Sequence, residues 1–128
     1  MNHNHALSAY NQVNVHTSVE DASPHKLIEL LLQGFNARVA EAKVAMLNNK
    51  IELKGQKISK ALDILSGLRA ALDFEAGADI ATNLEELYEY MSHQLVVANA
   101  QNDIDKCDEV IKLMSVIQSG WNQIREVE

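Results

Sequence analysis

Histidines and paired carboxylates are the side chains of this chain that could bind a metal ion. Glu89 and His93 lie four residues apart, whereas a di-metal bundle enzyme needs Glu-x-x-His pairs, three residues apart, on two helices. The sequence offers no second pair. The remaining histidines have irregular spacing and no cysteine neighbours, so they match no zinc pattern: His3, His5, His16 and His25. We therefore expect no metal site and no cofactor.

Nucleophilic and phosphoryl-transfer chemistry lacks its usual residues. The sequence has no Ser-His-Asp elbow and no glycine-rich phosphate loop, and Cys107 lies on an apolar helical stripe, where packing is its expected role. His93 is the mid-helix histidine that a phosphotransfer bundle would use. The following Gln94-Leu95-Val96-Val97 lacks the lysine and glycine expected there. We expect a binding protein and not an enzyme.

Composition limits the partners and the compartment. The chain has 128 residues, a formal net charge of −7 and one cysteine. This length supports one domain with a single core, and the lone cysteine excludes an internal disulfide. The acidic balance argues against nucleic acid as a partner. With no apolar run long enough for a membrane span and no secretory signal, we expect a cytoplasmic protein without membrane insertion.

Four long helices are the elements that would position these residues. Ser23 followed by Pro24 predicts an N-cap and the first turn of a helix. Apolar residues at three-to-four spacing then predict helices at about 24–48, 51–72, 79–101 and 103–125. Short loops favour an all-α, antiparallel up-down four-helix bundle over residues 23–126. Residues 1–22 would form a short, mobile N-terminal helical arm with an extended segment.

The three helix junctions contain residues that favour turns. Asn48-Asn49-Lys50 interrupts the first apolar stripe, and Asn102 and Asp103 can turn the chain and cap the last helix. In the middle junction, Gly77 is expected to supply a positive φ. Asp79 is expected to cap the third helix through its carboxylate.

Each helix has a main apolar stripe that we expect in the core; Ile51 begins the second stripe and Ile80 the third. Further apolar or small residues lie beside these stripes on the first three helices: Leu30, Gly34, Ala37 and Val44; Leu53, Ile64 and Ala71; Tyr90 and Val97. Two interpretations stay open. The additional apolar residues are either packed in a large core, or they line grooves on the surface that can accept an amphipathic helix.

Three blocks of sequence carry a family resemblance. The first runs from Tyr10-Asn11-Gln12-Val13 to Leu31-Leu32-Gln33-Gly34, the second from Leu72 to Asp103, and the third from Glu109 to Trp121. In order and spacing, the chain resembles the flagellar secretion chaperones that escort flagellin. It departs from the family pattern at Gln33, where an acidic residue is usual, and in the longer link Thr17-Ser18-Val19-Glu20-Asp21.

The resemblance implies an antiparallel bundle that binds the disordered C-terminal part of flagellin in the cytoplasm. Such a chaperone prevents premature polymerisation and presents flagellin to the type III export apparatus, with an export-gate component as a second partner. A homodimer stays open. Tyr10 matches the family tyrosine, and with Leu7 and Val13 it would form a removable apolar lid over a groove, or else a permanent fifth element. We expect these three and the residues beside the main stripes to bind the client.

Overall fold

The structure is a computed structural model that describes residues 23–124. Four α-helices account for nearly all of this range: α1 Pro24–Leu47, α2 Ile51–Ala70, α3 Ala78–Gln101 and α4 Ile104–Gln123. Within the described range there is no β-strand. The prediction of an all-α fold is therefore confirmed for residues 23–124.

The helices pack as an antiparallel ring. Near one end of the molecule, His25 of α1 stacks on Trp121 of α4, and near the other end Met46 contacts Cys107. Residue numbers thus rise along α1 while they fall along α4. Because α1 also packs against α2, α2 against α3, and α3 against α4, the four helices enclose one core. This is the expected up-down bundle.

Local capping chemistry fixes where several helices begin and end. The Ser23 hydroxyl accepts a hydrogen bond of 3.1 Å from the backbone N–H of Lys26 at the start of α1. Asn49 and Asn102 adopt the left-handed conformation, with φ values of 57° and 56°, in the α1–α2 and α3–α4 turns. Asp103 caps α4 through its carboxylate. These turns therefore follow the side-chain preferences of asparagine and aspartate.

The α2–α3 junction differs from the expectation. Gly77 is the N-cap of α3 with a φ of −132°, and Asp79 lies inside the first turn. Instead, the Asp73 carboxylate accepts hydrogen bonds of 3.1 and 3.0 Å from the N–H groups of Glu75 and Ala76. The predictions of a positive φ at Gly77 and of a cap at Asp79 were wrong, because a side-chain turn at Asp73 reverses the chain gradually.

The core is mainly aliphatic and is drawn from the main stripes of all four helices. Its largest fully buried side chains are Phe35, Leu27, Leu31, Leu32, Ile58, Ile64, Leu65, Met91, Leu95, Met114, Val39 and Val110. Ile51 and Ile80 were expected there, but they are 71% and 70% exposed. Each lies in the first turn of its helix, at an end of the bundle.

Candidate functional site

Exposed apolar side chains gather around the α1–α2 turn. Val44 and Leu47 at the end of α1 are 56% and 61% exposed, and Ile51 and Leu53 at the start of α2 are 71% and 38% exposed. All four lie within one short stretch of chain. Scattered exposed apolar residues need no explanation, but a contiguous group marks a candidate binding surface.

A groove of about 480 Å³ lies between α1 and α2 beside this turn. We call it the α1–α2 groove. Its apolar lining comes from Ala40, Val44 and Ala45 of α1 and from Leu53 of α2. Ala40 and Val44 are four residues apart, so they stand on one face of α1 with their small side chains leaving space between the helices. The lining is completed by Glu41, Asn48, Lys50 and Lys57.

Two of the residues predicted beside the main stripes meet at the seam between α1 and α2. An ion pair of 3.1 Å between Lys57 and Glu41 connects the two helices beside this groove. Val44 of α1 and Leu53 of α2 both line the α1–α2 groove. The structure thus brings together two predicted site residues from different helices.

One predicted residue of α2, Ile64, is buried in the structure. Ile64 has no exposed surface and belongs to the core, so it does not line an open groove. In the structure Ile64 is therefore a core residue and offers no exposed surface to a client. Gly34 of α1, another predicted residue, is half-buried and does not line the α1–α2 groove.

The other predicted residues of α1 and α2 occupy intermediate positions. Leu30 and Ala71 are half-buried and pack against the core. Ala37 is exposed, and it stands two turns before Val44 on the same face of α1. Ala37 thus extends the seam from the open groove, whereas Leu30 and Ala71 complete the core.

On α3, Tyr90 takes part in a polar bridge to α4. Its hydroxyl donates a hydrogen bond of 2.7 Å to the Glu109 carboxylate, which also accepts one of 2.8 Å from Gln94. The hydrogen bond to Glu109 raises the pKa of Tyr90 above its ordinary value. Val97, one predicted neighbour, is half-buried. Neither residue lines the α1–α2 groove.

Three predicted residues, Leu7, Tyr10 and Val13, lie outside the described residues. Conversely, sequence reasoning missed Leu47, and it placed Ile51 in the core. A signal was present: both are apolar residues next to a three-residue turn, at an end of the bundle, where exposure is more common than in the middle of a helix.

Charged groups of the groove are partly paired. The Glu41 carboxylate lies 2.8 Å from Arg38 and 3.1 Å from Lys57. Burial opposes ionisation of Glu41, but the hydrogen bonds and positive charges of Lys57 and Arg38 outweigh it, so its pKa lies below the ordinary value. Lys50 forms no ion pair with any residue in the range 23–124.

The candidate chemical residues do not form a reaction centre in the described range. Glu89 and His93 are both exposed on α3. Between residues 23 and 124, no three His, Cys, Asp or Glu side chains are grouped so that they could hold a metal ion. None of the four described helices is long and apolar enough to cross a lipid bilayer.

The bundle and its open groove define a small helical protein of the kind that can receive an amphipathic helix on its surface. The family model for the flagellar protein FliS matches residues 6–128. The chain belongs to this family of flagellar secretion chaperones, which confirms the resemblance of its three sequence blocks. Since this is a family of chaperones, the prediction that the chain is not an enzyme is also confirmed.

Curated relatives match over nearly their whole length. The flagellar secretion chaperone FliSB of Pseudomonas aeruginosa is 48% identical over 119 residues, which cover 93% of this chain and 94% of the relative. The flagellar secretion chaperone FliS of Salmonella typhimurium is 44% identical over 92% of this chain and 88% of the relative. That of Vibrio cholerae is 42% identical over 93% and 88%.

Proposed function

We propose that the protein is a cytoplasmic chaperone that binds the disordered C-terminal region of flagellin. In this role it prevents premature polymerisation and delivers the client to the flagellar type III export apparatus, where an export-gate component receives the complex. Membership of the FliS family supports the export role. The observation that carries client binding is the open α1–α2 groove, which has Val44 and Leu53 exposed on its two sides.

The physical basis is helix-in-groove recognition. A client segment that is disordered when free can fold into an amphipathic helix and place its apolar side chains against Val44 and Leu53. Ordering the segment reduces the net affinity, but it allows a small bundle to engage a long stretch of client. A flagellin whose C-terminal region is bound in this way has no free segment with which to polymerise.

Titration with a flagellin C-terminal peptide tests this function. We expect a stoichiometric complex by mass measurement, and a helical signal in circular dichroism that exceeds the sum of the separate components. Both readouts are needed because helicity could rise in a peptide that only aggregates. The absence of a complex at tens of micromolar of each component would overturn the proposed function.

A further inference from the structure

Lysines border the α1–α2 groove although the chain as a whole is acidic, with a net charge of −7. Lys50 and Lys57 line the groove directly. Lys57 and Lys60 follow Leu53 by four and seven residues, so they stand on the same face of α2. The border formed by α2 is therefore basic. The border formed by α1 is mainly apolar, with Ala40, Val44 and Ala45.

This basic border is largely unneutralised. Glu41 is the acidic residue that lines the groove, and it is already held by Arg38 and Lys57. Lys50 and Lys60 form no ion pair with other residues of the described bundle. Lys50 thus keeps an available positive charge in the lining of the groove, and Lys60 keeps a second one two turns beyond Leu53 on the same face of α2.

We propose that the α1–α2 groove selects client helices that carry acidic residues along one edge of their apolar stripe, with Lys50 and Lys60 as specificity-determining residues. The inference rests on the proposed function and names the chemistry of the client that it would take. An acidic segment would be repelled by most of a chain with a charge of −7, so a local basic border can direct it to this groove. Because the lysines lie on one side only, they would also fix which edge of the client helix faces α2.

The test measures affinity of the full chain for a flagellin C-terminal peptide at low and at physiological salt. We expect Lys50→Glu and Lys60→Glu each to weaken binding about fivefold at low salt, with a smaller effect at higher salt because the charges are exposed. A second peptide, in which Asn and Gln replace every Asp and Glu, should bind the wild type and both variants alike.

Lys112→Glu is the matched control. Lys112 is exposed on α4, and its substitution changes the net charge by the same amount as each groove variant. Equal weakening by all three substitutions would attribute the effect to net charge and overturn the inference. If the wild type gains helicity with the peptide but neither groove variant weakens binding, the inference fails while the proposed function stands. If the wild type forms no complex, both fail.

Other occupants of the groove would give different results. A wild-type dimer that Lys50→Glu converts to a monomer would show that a second copy of the chain fills the groove. Tighter peptide binding by Lys50→Glu would show that an acidic segment of the chain itself competes for it. Either result would overturn the assignment to an acidic client helix.

Discussion

Cys107 shows how burial decides the chemistry of a single residue. Its side chain has no exposed surface, and its sulfur lies 3.9 Å from that of Met46 across the α1–α4 contact. Burial, assisted by the nearby Asp108 and Asp103 carboxylates, raises the pKa of Cys107 to about 11. Since the thiolate is the reactive form, this cysteine serves packing rather than nucleophilic chemistry.

Alkylation of Cys107 tests that role. Moving the pKa from 9.0 to about 11 lowers the thiolate fraction near pH 8 about a hundredfold, and burial restricts access further. We expect iodoacetamide to label the native protein more than a hundredfold more slowly than the guanidinium-unfolded chain, as followed by mass spectrometry. Similar labelling rates in the two states would contradict the buried position.

Lys54 is a second residue whose role depends on its neighbours. It is only 7% exposed, and its Nζ donates hydrogen bonds of 2.9 Å to the Asn99 carbonyl and 3.2 Å to the Asn102 side chain. Lys54→Met removes both hydrogen bonds to the α3 end of the α3–α4 turn. We expect a loss of about 2 kcal/mol in the free energy of unfolding by urea. Lys112→Met, on an exposed position, should lose less than about 0.5 kcal/mol.

At the scale of helices, polar bridges connect neighbours around the ring. Arg69 of α2 donates hydrogen bonds of 3.0 and 2.6 Å to the two carboxylate oxygens of Glu85 on α3. The hydrogen bonds from Arg69 hold the pKa of Glu85 below its ordinary value of 4.5. A carboxylate whose pKa is depressed by folding stabilises the protein above its unfolded pKa, and this stabilisation is lost as the pH falls through the folded pKa.

Substitution of Glu85 should therefore have a pH-dependent effect. Glu85→Gln is expected to lower the free energy of unfolding at pH 7, by less than about 1 kcal/mol because both side chains are about one-third exposed. The difference from wild type should shrink below about pH 4.5 and vanish once Glu85 is protonated. Glu86→Gln, at an exposed neighbouring position, should show no such trend. A difference that stays constant down to pH 2 would contradict the ion pair's contribution.

For the whole molecule, the apolar residues between α1 and α2 differ in exposure along the helices. Towards one end of α2, Ile64 is completely buried. At the other end Val44 and Leu53 are exposed and line the α1–α2 groove. Apolar residues on one face of α2 are thus buried in the core in one part of the helix and exposed in the other.

This division predicts opposite effects for substitutions along the seam. The pair Val44→Ser and Leu53→Ser should weaken binding of a flagellin peptide at least tenfold and change the free energy of unfolding by less than about 1 kcal/mol. Ile64→Ala should destabilise the fold by about 2 to 5 kcal/mol through the cavity it creates. At temperatures where this variant is folded, it should bind the peptide normally. Loss of peptide binding by Ile64→Ala without loss of stability would contradict the assignment of Ile64 to the core rather than to the binding surface.

The sequence by itself determined the number and type of the helices, the Ser23 cap and the turns at Asn49 and Asn102. These are local properties, because a capping side chain or an apolar repeat acts on backbone within about one turn of itself. Its three blocks of family residues also carried the chaperone resemblance. The same local reasoning chose the wrong residues for the middle junction. Asp73, and not Gly77 or Asp79, provides the side chain that forms the turn.

Only the tertiary structure decided which apolar residues are exposed. Ile51 and Ile80 repeat with the core stripes, yet they are exposed in the first turns of their helices, at the ends of the bundle. Ile64 and Leu53 share one face of α2. Ile64 is buried in the core, whereas Leu53 is exposed and lines the α1–α2 groove with Val44. Helical periodicity specifies the direction in which a side chain points, whereas burial depends on what the register of the adjacent helix places in front of it.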